Sequence, residues 1–236
     1  MSTIVKLVSM SQVDADYAAE ISEGDEATLT LLGAPEGLCA YVARVSSPTQ
    51  TNPEYAKLLK YCMAHGHWSV FEQVSATFEV TTSLAIAAQL LRHRSFCFQQ
   101  FSARYAKVPD SYEVFEARSQ DRKNRQASHD DMDQTTKDWW NEVQKNAWDA
   151  AFHYYNEALN KNIAKETARA ILPVATTTRL FVSGNLRSFI HYINVRADAA
   201  TQKEHREIAE AMKVVLIAKT PIIAEACEWV ETKKEP

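Results

Sequence analysis

The alternation of apolar and polar residues along the chain predicts several helices and three strands. A period of two is typical of a half-buried strand, and recurrence at three and four residues is typical of an amphipathic helix. The first pattern predicts strands over residues 4–10, 73–82 and 176–183. The second predicts helices over residues 36–45, 53–64, 83–93, 139–160, 185–195 and 201–219. This helix-rich balance predicts an α+β (mixed α/β) fold with a small sheet, in a single domain over residues 1–236.

Local signals refine three of these segments. In the longest helix the apolar positions are Trp140, Val143, Ala147, Ala151, Tyr154 and Ala158, which predicts one buried face. Asn52-Pro53 predicts a helix start, because proline suits a first helical position. Gly184 predicts a break after its strand. Residues 111–134 are polar and mixed in charge, which predicts an excursion or loop.

Composition narrows the class of protein. The chain has 236 residues, 26 Lys and Arg against 30 Asp and Glu, and 46% hydrophobic residues. Its longest strongly apolar stretch, residues 84–91, is far shorter than the ~20 residues of a membrane helix. The amino-terminal residues show no secretory cleavage pattern. We therefore expect a globular cytoplasmic protein without a membrane partner.

Glycine and cysteine spacing excludes several common sites. The five glycines form no GxG pair, so neither a dinucleotide-binding Rossmann loop nor a Walker A loop is present. The four cysteines form no CxxC pair, which argues against a zinc ribbon or a thioredoxin-type site. His65 and His67 form an HxH pair without a third ligand motif, so we expect no metal.

The distribution of charge is more informative than its sum. Residues 80–109 and 167–197 contain no Asp or Glu. Their cations are Arg92, Arg94, Arg104, Lys107, Arg169, Arg179, Arg187 and Arg196. The remainder of the chain therefore carries −12. Guanidinium groups bind phosphates through bidentate, charge-assisted hydrogen bonds, so the two windows favour a phosphate-bearing ligand. The alternative is that these arginines pair with acids elsewhere in the chain.

Spacing within the windows predicts which side chains share a face. In an extended stretch over residues 99–105, Gln100, Ser102 and Arg104 point one way, and Phe101, Ala103 and Tyr105 point the other. This predicts a strand that lines a wet site, although a plain half-exposed strand gives the same alternation. Helical spacing aligns Gln89 with Arg92, Arg187 with His191, and Asn185 with Arg196. A solvated helix face is the alternative there.

Four motifs together resemble one enzyme family. Arg92-His93-Arg94, seven residues and Ser102 form an RHR-x7-S pattern, which runs on to Arg104-Tyr105. The other matches are His65-Gly66-His67 with Phe71-Glu72, the stretch 168–173, and Asn185 through Arg196 to Gln202 and Glu204. Over residues 36–208 the chain resembles the flavin-dependent thymidylate synthases.

The resemblance implies a reaction and its cofactors. Members of the family methylate dUMP reductively to dTMP, with 5,10-methylenetetrahydrofolate as carbon donor, FAD as cofactor and NADPH as reductant. They are homotetramers with active sites between subunits. A flavin held in an interface cleft agrees with the missing glycine loop, and two phosphate-bearing anions agree with the arginine windows.

The resemblance also assigns site residues. Those implied for the flavin are His67, Ser69, Arg92, His93, Arg94, Gln100, Asn185, Leu186, Arg187 and His191. Those implied for the nucleotide are Gln89, Leu90, Leu91, Arg92, Gln100, Phe101, Ser102, Ala103, Arg104, Arg169 and Arg196.

Two of these residues are the candidates for catalysis. Arg196 matches the arginine that polarises the uracil ring, where fixed positive charge meets developing negative charge. Ser102 lacks an identifiable base, so binding and orientation are favoured over nucleophilic attack. Cys97 lies inside the signature, but its surroundings do not match those of a catalytic cysteine.

Three departures from the family pattern keep other functions open. Gln100 stands where the family usually has Glu, Gln73 stands where the family commonly has His, and His191 stands where the family usually has Asn. Gln100 and His191 favour, as an alternative, a flavin-dependent methylase or hydroxymethylase of a related pyrimidine nucleotide. An inactive homologue is another alternative, but the retained arginines and Ser102 argue against it. A nucleic-acid-binding module that uses the arginines and nearby aromatic residues is a further alternative. The acidic chain has no clustered lysines, which argues against a nucleic-acid partner.

Overall fold

A four-stranded antiparallel sheet organises the structure, a computed structural model that describes residues 3–230. Its strands are β1 (Ile4–Met10), β2 (Ser75–Ser83), β3 (Cys97–Gln100) and β6 (Thr177–Asn185), in the order β1-β2-β6-β3. Strands β4 (Ser119–Gln120) and β5 (Ser128–His129) form a separate two-stranded hairpin. The mixed α and β fold is therefore confirmed.

Ten α-helices accompany these strands in the described part of the chain. They are α1 (Ala15–Ser22), α2 (Glu26–Gly33), α3 (Pro35–Ala43), α4 (Ala56–Ala64), α5 (Leu84–Leu90), α6 (Gln134–Asn160), α7 (Lys165–Ala168), α8 (Leu186–Arg196), α9 (Lys203–Lys219) and α10 (Pro221–Ala226). Short 3-10 turns lie at Trp68–Glu72 and Arg169–Ile171. Across residues 3–230, no helix combines the length and apolar character needed to span a bilayer.

The main core lies between the sheet and helices α5, α8 and α9. In the register of the two central strands, Phe78 faces Val182 and Val80 faces Leu180, and all four side chains are buried. The Phe78 ring meets that of Phe189 on α8 at a centroid distance of 5.1 Å. This apolar contact fixes α8, which carries several candidate site residues, against the sheet.

Helices α1 and α2 are absent from the sequence prediction, and the start of α4 was predicted wrongly. The two missed helices have only eight residues each, too few for a strong period, although Asp14 and Asp25 cap their first turns. Helix α4 begins at Ala56, not Pro53, because Arg44 donates hydrogen bonds to the carbonyls of Asn52 and Glu54 and holds that segment in turns.

The long helix α6 exists as predicted, but two of the positions predicted to face the core, Ala147 and Tyr154, are exposed. Trp148 and Tyr155 are buried, whereas Tyr154, which was expected to face the core, is 60% exposed. The buried aromatic residues meet neighbours on other elements: Trp148 stacks on Tyr112, and the Tyr155 hydroxyl accepts a hydrogen bond from the Val108 backbone N–H. Spacing alone does not show which of two adjacent aromatic residues finds such a partner.

Gly184 continues strand β6, so the predicted break there is wrong. It pairs with Ala76 of β2 in regular register. An added Cβ atom would lie only 2.5 Å from Cδ1 of Phe96. Glycine is required because an aromatic ring closely approaches the strand at this position.

Candidate functional site

The Arg92-His93-Arg94 signature forms a tight turn after α5. The predicted helix over 83–93 ends at Leu90, because the N–H groups of Arg92 and His93 bond the carbonyls of Gln89 and Leu90 in turns. Phe96 is buried and anchors this turn: its ring lies 4.5 Å from that of His93 and 4.6 Å from that of Phe189. The turn is thereby held against α8.

A cleft of about 560 Å³ lies beside this turn, and we call it the α8 cleft. Its lining comprises Trp68, Glu72, Ser95, Asn185, Arg187, Ser188, Ile190, His191 and Asn194. Asn185 also caps α8, since its Oδ1 accepts a hydrogen bond from the Ser188 N–H at 2.9 Å. The 3-10 turn Trp68–Glu72 at its edge carries the exposed Ser69, and the exposed His67 directly precedes this turn.

Buried polar atoms next to the α8 cleft lack partners within the described chain. They are Nε2 of His93 and the hydroxyl of Tyr192. Burial lowers the pKa of His93, and the charges of His191 and Arg196 lower it further, so the ring is held neutral. Buried polar atoms are normally satisfied, so these two point to a partner that the described chain does not supply, such as water or a bound group. A cleft with such atoms and nearby arginines fits an anionic aromatic cofactor.

A second cleft, of about 420 Å³, lies at the other end of β6, and we call it the β6 cleft. It is lined by Leu84, Gln100, Phe101, Ala103, Val108, Glu166, Arg169, Ala170, Leu172, Thr176, Thr177 and Thr178. The Gln100 amide Nε2 donates to Thr178 Oγ1 at 3.2 Å. Four residues implied for the nucleotide therefore meet in this cleft.

The chain is not extended over residues 99–105, contrary to the predicted alternation. Strand β3 ends at Gln100, and the Phe101 N–H makes a last bond to the Arg179 carbonyl. The chain then turns, with the N–H groups of Tyr105 and Ala106 both donating to the Ser102 carbonyl. Tyr105 is consequently 88% exposed and not packed in the core.

A third polar group lies where α5, α8 and α9 converge. It contains Gln89, Gln202 and His205, joined by side-chain hydrogen bonds of 2.7 and 3.2 Å. Burial, helped by the charges of Arg196 and His93, lowers the pKa of His205 to about 4. Arg196, the last residue of α8, thus lies close to this group.

One chain does not bring all the implied residues together. Nine residues of β6 separate the two clefts by about 26 Å. Arg196 is about 16 Å along α8 from Asn185. Leu90 and Leu186 are fully buried in the core, and the Leu186 N–H already bonds the Val74 carbonyl. Among the nucleotide residues, Gln89, Leu91 and Arg92 lie at the end of α5, away from the β6 cleft.

Three of the seven arginines in the two acid-free windows pair with acids elsewhere in the chain, which was the alternative explanation of these windows. Arg104 pairs with Glu166, Arg179 with Glu79, and Arg187 with Glu72, all half-exposed. Arg92, Arg94, Arg169 and Arg196 have no carboxylate partner within residues 3–230. These four remain available to an anion.

Sequence reasoning missed Tyr192, His205 and Arg118. Tyr192 and His205 are buried polar residues on apolar helix faces, a pattern that usually indicates packing. Arg118 lies in the polar segment 111–134, where nothing in the sequence singles it out. Within the described residues, no group of three or more His, Cys, Asp or Glu side chains could hold a metal ion.

Comparisons with known proteins agree on one family. The family model described as "Thymidylate synthase complementing protein" matches residues 29–222. A flavin-dependent thymidylate synthase of Synechocystis is 57% identical over 195 residues, covering 83% of this chain and 90% of the relative. A probable flavin-dependent thymidylate synthase of Paramecium bursaria Chlorella virus 1 is 49% identical over 83% of this chain and 91% of its own.

Among the solved structures, one neighbour acts on pyrimidine nucleotides. It is a UMP/dUMP methylase, PolB from Streptomyces cacaoi, bound with 5-Br dUMP. Its structure superposes with a TM-score of 0.79 and 25% sequence identity, covering 97% of this chain and 95% of that one. Sequence and structure comparisons therefore give the same fold.

Proposed function

This chain belongs to the family of flavin-dependent thymidylate synthases, and we propose that it methylates dUMP reductively to dTMP. The observation that carries the proposal is the Arg92-His93-Arg94 turn, whose two arginines lack carboxylate partners in the described structure. That turn adjoins a cleft with unpartnered buried polar atoms. We extend the proposal to one domain over residues 1–236 and a cytoplasmic location.

The α8 cleft is the proposed FAD site. Asn185, Arg187 and His191 line it, with His67 and Ser69 at its edge and Arg92, His93 and Arg94 beside it. When bound, the flavin supplies the redox chemistry, and the chain supplies binding and orientation. The neutral His93 ring offers a hydrogen bond without an added positive charge. NADPH and 5,10-methylenetetrahydrofolate are the proposed co-substrates.

The nucleotide is proposed to bind the residues around β3 and the end of α5. Gln100, Phe101, Ala103 and Arg169 line the β6 cleft. Ser102 and Arg104 follow β3, and Ser102 is assigned a binding role because its hydroxyl makes no hydrogen bond to a base among the described residues. Arg196, unpaired with any carboxylate in that part of the chain, is placed to stabilise negative charge that develops on the pyrimidine ring.

A homotetramer with shared active sites is part of the proposal. Apart from Gln100, which is implied for both ligands and lines the β6 cleft, the flavin residues lie at the other end of β6 from the four nucleotide residues in that cleft, about 26 Å away. A complete site therefore needs one end of this strand to meet the other end in a second copy. The separation within one chain supports assembly between subunits.

A second candidate function is methylation of a related nucleotide such as UMP. The similarity to the UMP/dUMP methylase favours it. So does Gln100, whose neutral amide hydrogen-bonds Thr178 beside the proposed nucleotide site. Comparison of dUMP with UMP as substrates separates the two candidates, and a hydroxymethylated product would identify the related hydroxymethylase reaction.

The direct test is flavin binding followed by label release. The purified protein is loaded with FAD, its visible spectrum is recorded with and without dUMP, and tritium release from C5-labelled dUMP is measured with folate and NADPH. We expect a flavin spectrum that dUMP perturbs and label release that needs both co-substrates. A protein that does not retain FAD, or releases no label from dUMP, would refute the proposal.

A further inference from the structure

A chain of side-chain hydrogen bonds connects the polar segment 111–134 to Gln89. Arg118 Nη2 donates to both carboxylate oxygens of Glu204, at 2.7 and 2.9 Å. Gln202 Nε2 donates to Glu204 Oε2 at 3.0 Å, and Gln89 Nε2 donates to Gln202 Oε1 at 2.7 Å. His205 Nδ1 lies 3.2 Å from Gln89 Oε1. We call these five residues the Gln89 network.

The network is largely shielded from water. The side chains of Arg118 and Glu204 are 11% and 7% exposed, and His205 is 1% exposed. Hydrogen bonds in such surroundings are stronger than on the surface, and leaving one unmade is costly. Its geometry is therefore far better defined than that of an exposed ion pair.

The carboxylate at one end dictates the polarity of every following bond. Glu204, paired with the Arg118 guanidinium, is ionised and can only accept hydrogen bonds. Gln202 must therefore turn its NH2 group to Glu204 and its oxygen to Gln89. Gln89 must in turn offer its NH2 group to Gln202, so its oxygen accepts the Nδ1–H of His205. Reversal of either amide would leave donor facing donor or acceptor facing acceptor.

This polarity leaves Gln89 with one kind of contact to offer. Its oxygen is occupied by His205, and one N–H is occupied by Gln202. The second N–H has no partner within the described residues, and the side chain is half-buried at the end of α5. An N–H in that position recognises an acceptor oxygen and repels an amino group.

We propose that the Gln89 network makes Gln89 an obligate donor to an oxygen of the pyrimidine nucleotide, with Arg118 as a positioning residue that acts through Glu204 and Gln202. The inference rests on the proposed function, which assigns Gln89 to nucleotide binding. It gives the polar segment 111–134 a role, namely to fix the donor polarity of a specificity-determining amide. The oxygen is either O4 of the uracil ring, which is an amino group in cytosine, or a phosphate oxygen.

The test replaces the charged end of the network without leaving an unpaired buried charge. The double variant Arg118→Met/Glu204→Gln introduces an amide at 204 that can either donate or accept, so polarity is no longer imposed. The matched control is Lys203→Met/Glu116→Gln, which removes an exposed ion pair between the same two segments. The single variant Arg118→Lys, which keeps the positive charge beside Glu204, should retain most of the wild-type preference.

Binding of dUMP, dCMP and deoxyuridine to the FAD-loaded proteins is measured by calorimetry. If the oxygen is uracil O4, which cytosine replaces with an amino group, the double variant loses about three- to tenfold of the dUMP-over-dCMP preference. If it is a phosphate oxygen, the preference for dUMP over deoxyuridine falls by a similar factor in the double variant, and the preference for dUMP over dCMP is unchanged. The control double variant should keep both ratios. Equal ratios in the network variant and the control would overturn the proposal.

A nucleotide-free measurement separates this inference from the proposed function. Nitrogen chemical shifts of His205 report which ring nitrogen holds the proton. We expect the neutral Nδ1–H form in the wild-type protein and a mixture of forms in the double variant. A wild-type protein that shows this tautomer but binds no dUMP would refute the proposed function, and with it the contact to the nucleotide, while the network polarity would stand. An Nε2–H tautomer in the wild-type protein would refute the network polarity.

Discussion

Replacement of Gly184 by alanine tests how the sheet positions the Arg92-His93-Arg94 turn. The new Cβ atom would lie 2.5 Å from Cδ1 and 2.9 Å from Cε1 of Phe96. Ordinary carbon contacts need about 3.5 Å, so the ring must move by about 1 Å. Phe96 is buried between His93 and Phe189, so its shift displaces the His93 ring.

The expected loss of stability follows from two opposing effects. Overpacking a close-packed core costs about 1–3 kcal/mol. Alanine in a strand is more favourable than glycine by about 0.5–1 kcal/mol, which offsets part of that cost. The net expectation is a destabilisation of about 1–2 kcal/mol, or about 2–8 °C in Tm for a chain of this size. FAD binding should weaken as His93 moves.

Urea unfolding at one protein concentration measures the loss of stability, and titration with FAD measures the loss of flavin affinity. Gly33→Ala is the control, because nothing lies within 4 Å of the added Cβ and its stability should be equal or slightly higher. Phe96→Leu makes room for the methyl group, so Gly184→Ala should cost less in that background. Unchanged stability and FAD affinity in Gly184→Ala would show that the approach of Phe96 is not restrictive.

Three further predictions follow from other parts of the molecule. Arg196→Ala should abolish label release from dUMP while FAD stays bound. The control Arg179→Ala, which removes an exposed arginine from the same acid-free window, should keep activity. Activity in both variants would remove Arg196 from the mechanism. Tyr155→Phe should lower the free energy of unfolding by about 1–3 kcal/mol, since it leaves the buried Val108 N–H unpaired, and Tyr154→Phe, an exposed control, should not. Burial raises the pKa of Glu36 from 4.5 to about 7, so the folded carboxyl keeps a proton that the unfolded chain releases. Stability should therefore fall as pH rises from 4.5 to 7, and urea midpoints of Glu36→Gln should lack this fall.

The sequence alone was sufficient for the family, the mixed fold and most of the long elements. Periodicity located β2, β6, α6, α8 and α9 to within about five residues, because each has an apolar period along its buried face. The RHR-x7-S signature was equally informative, since its residue types and spacing are local properties of the chain. Short helices such as α1 and α2 were not predicted, because eight residues carry too little periodic signal.

Only the tertiary structure decided which partner each side chain meets. Phe96 lies against Gly184, which makes that glycine part of a strand and not a break. Tyr155 faces Val108, whereas Tyr154, next to it in sequence, faces solvent. Arg118 reaches Glu204 across 86 residues of chain and so connects a polar loop to the proposed nucleotide site. Periodicity describes one element at a time, whereas hydrogen-bond polarity and close packing depend on atoms that the fold brings together from distant positions.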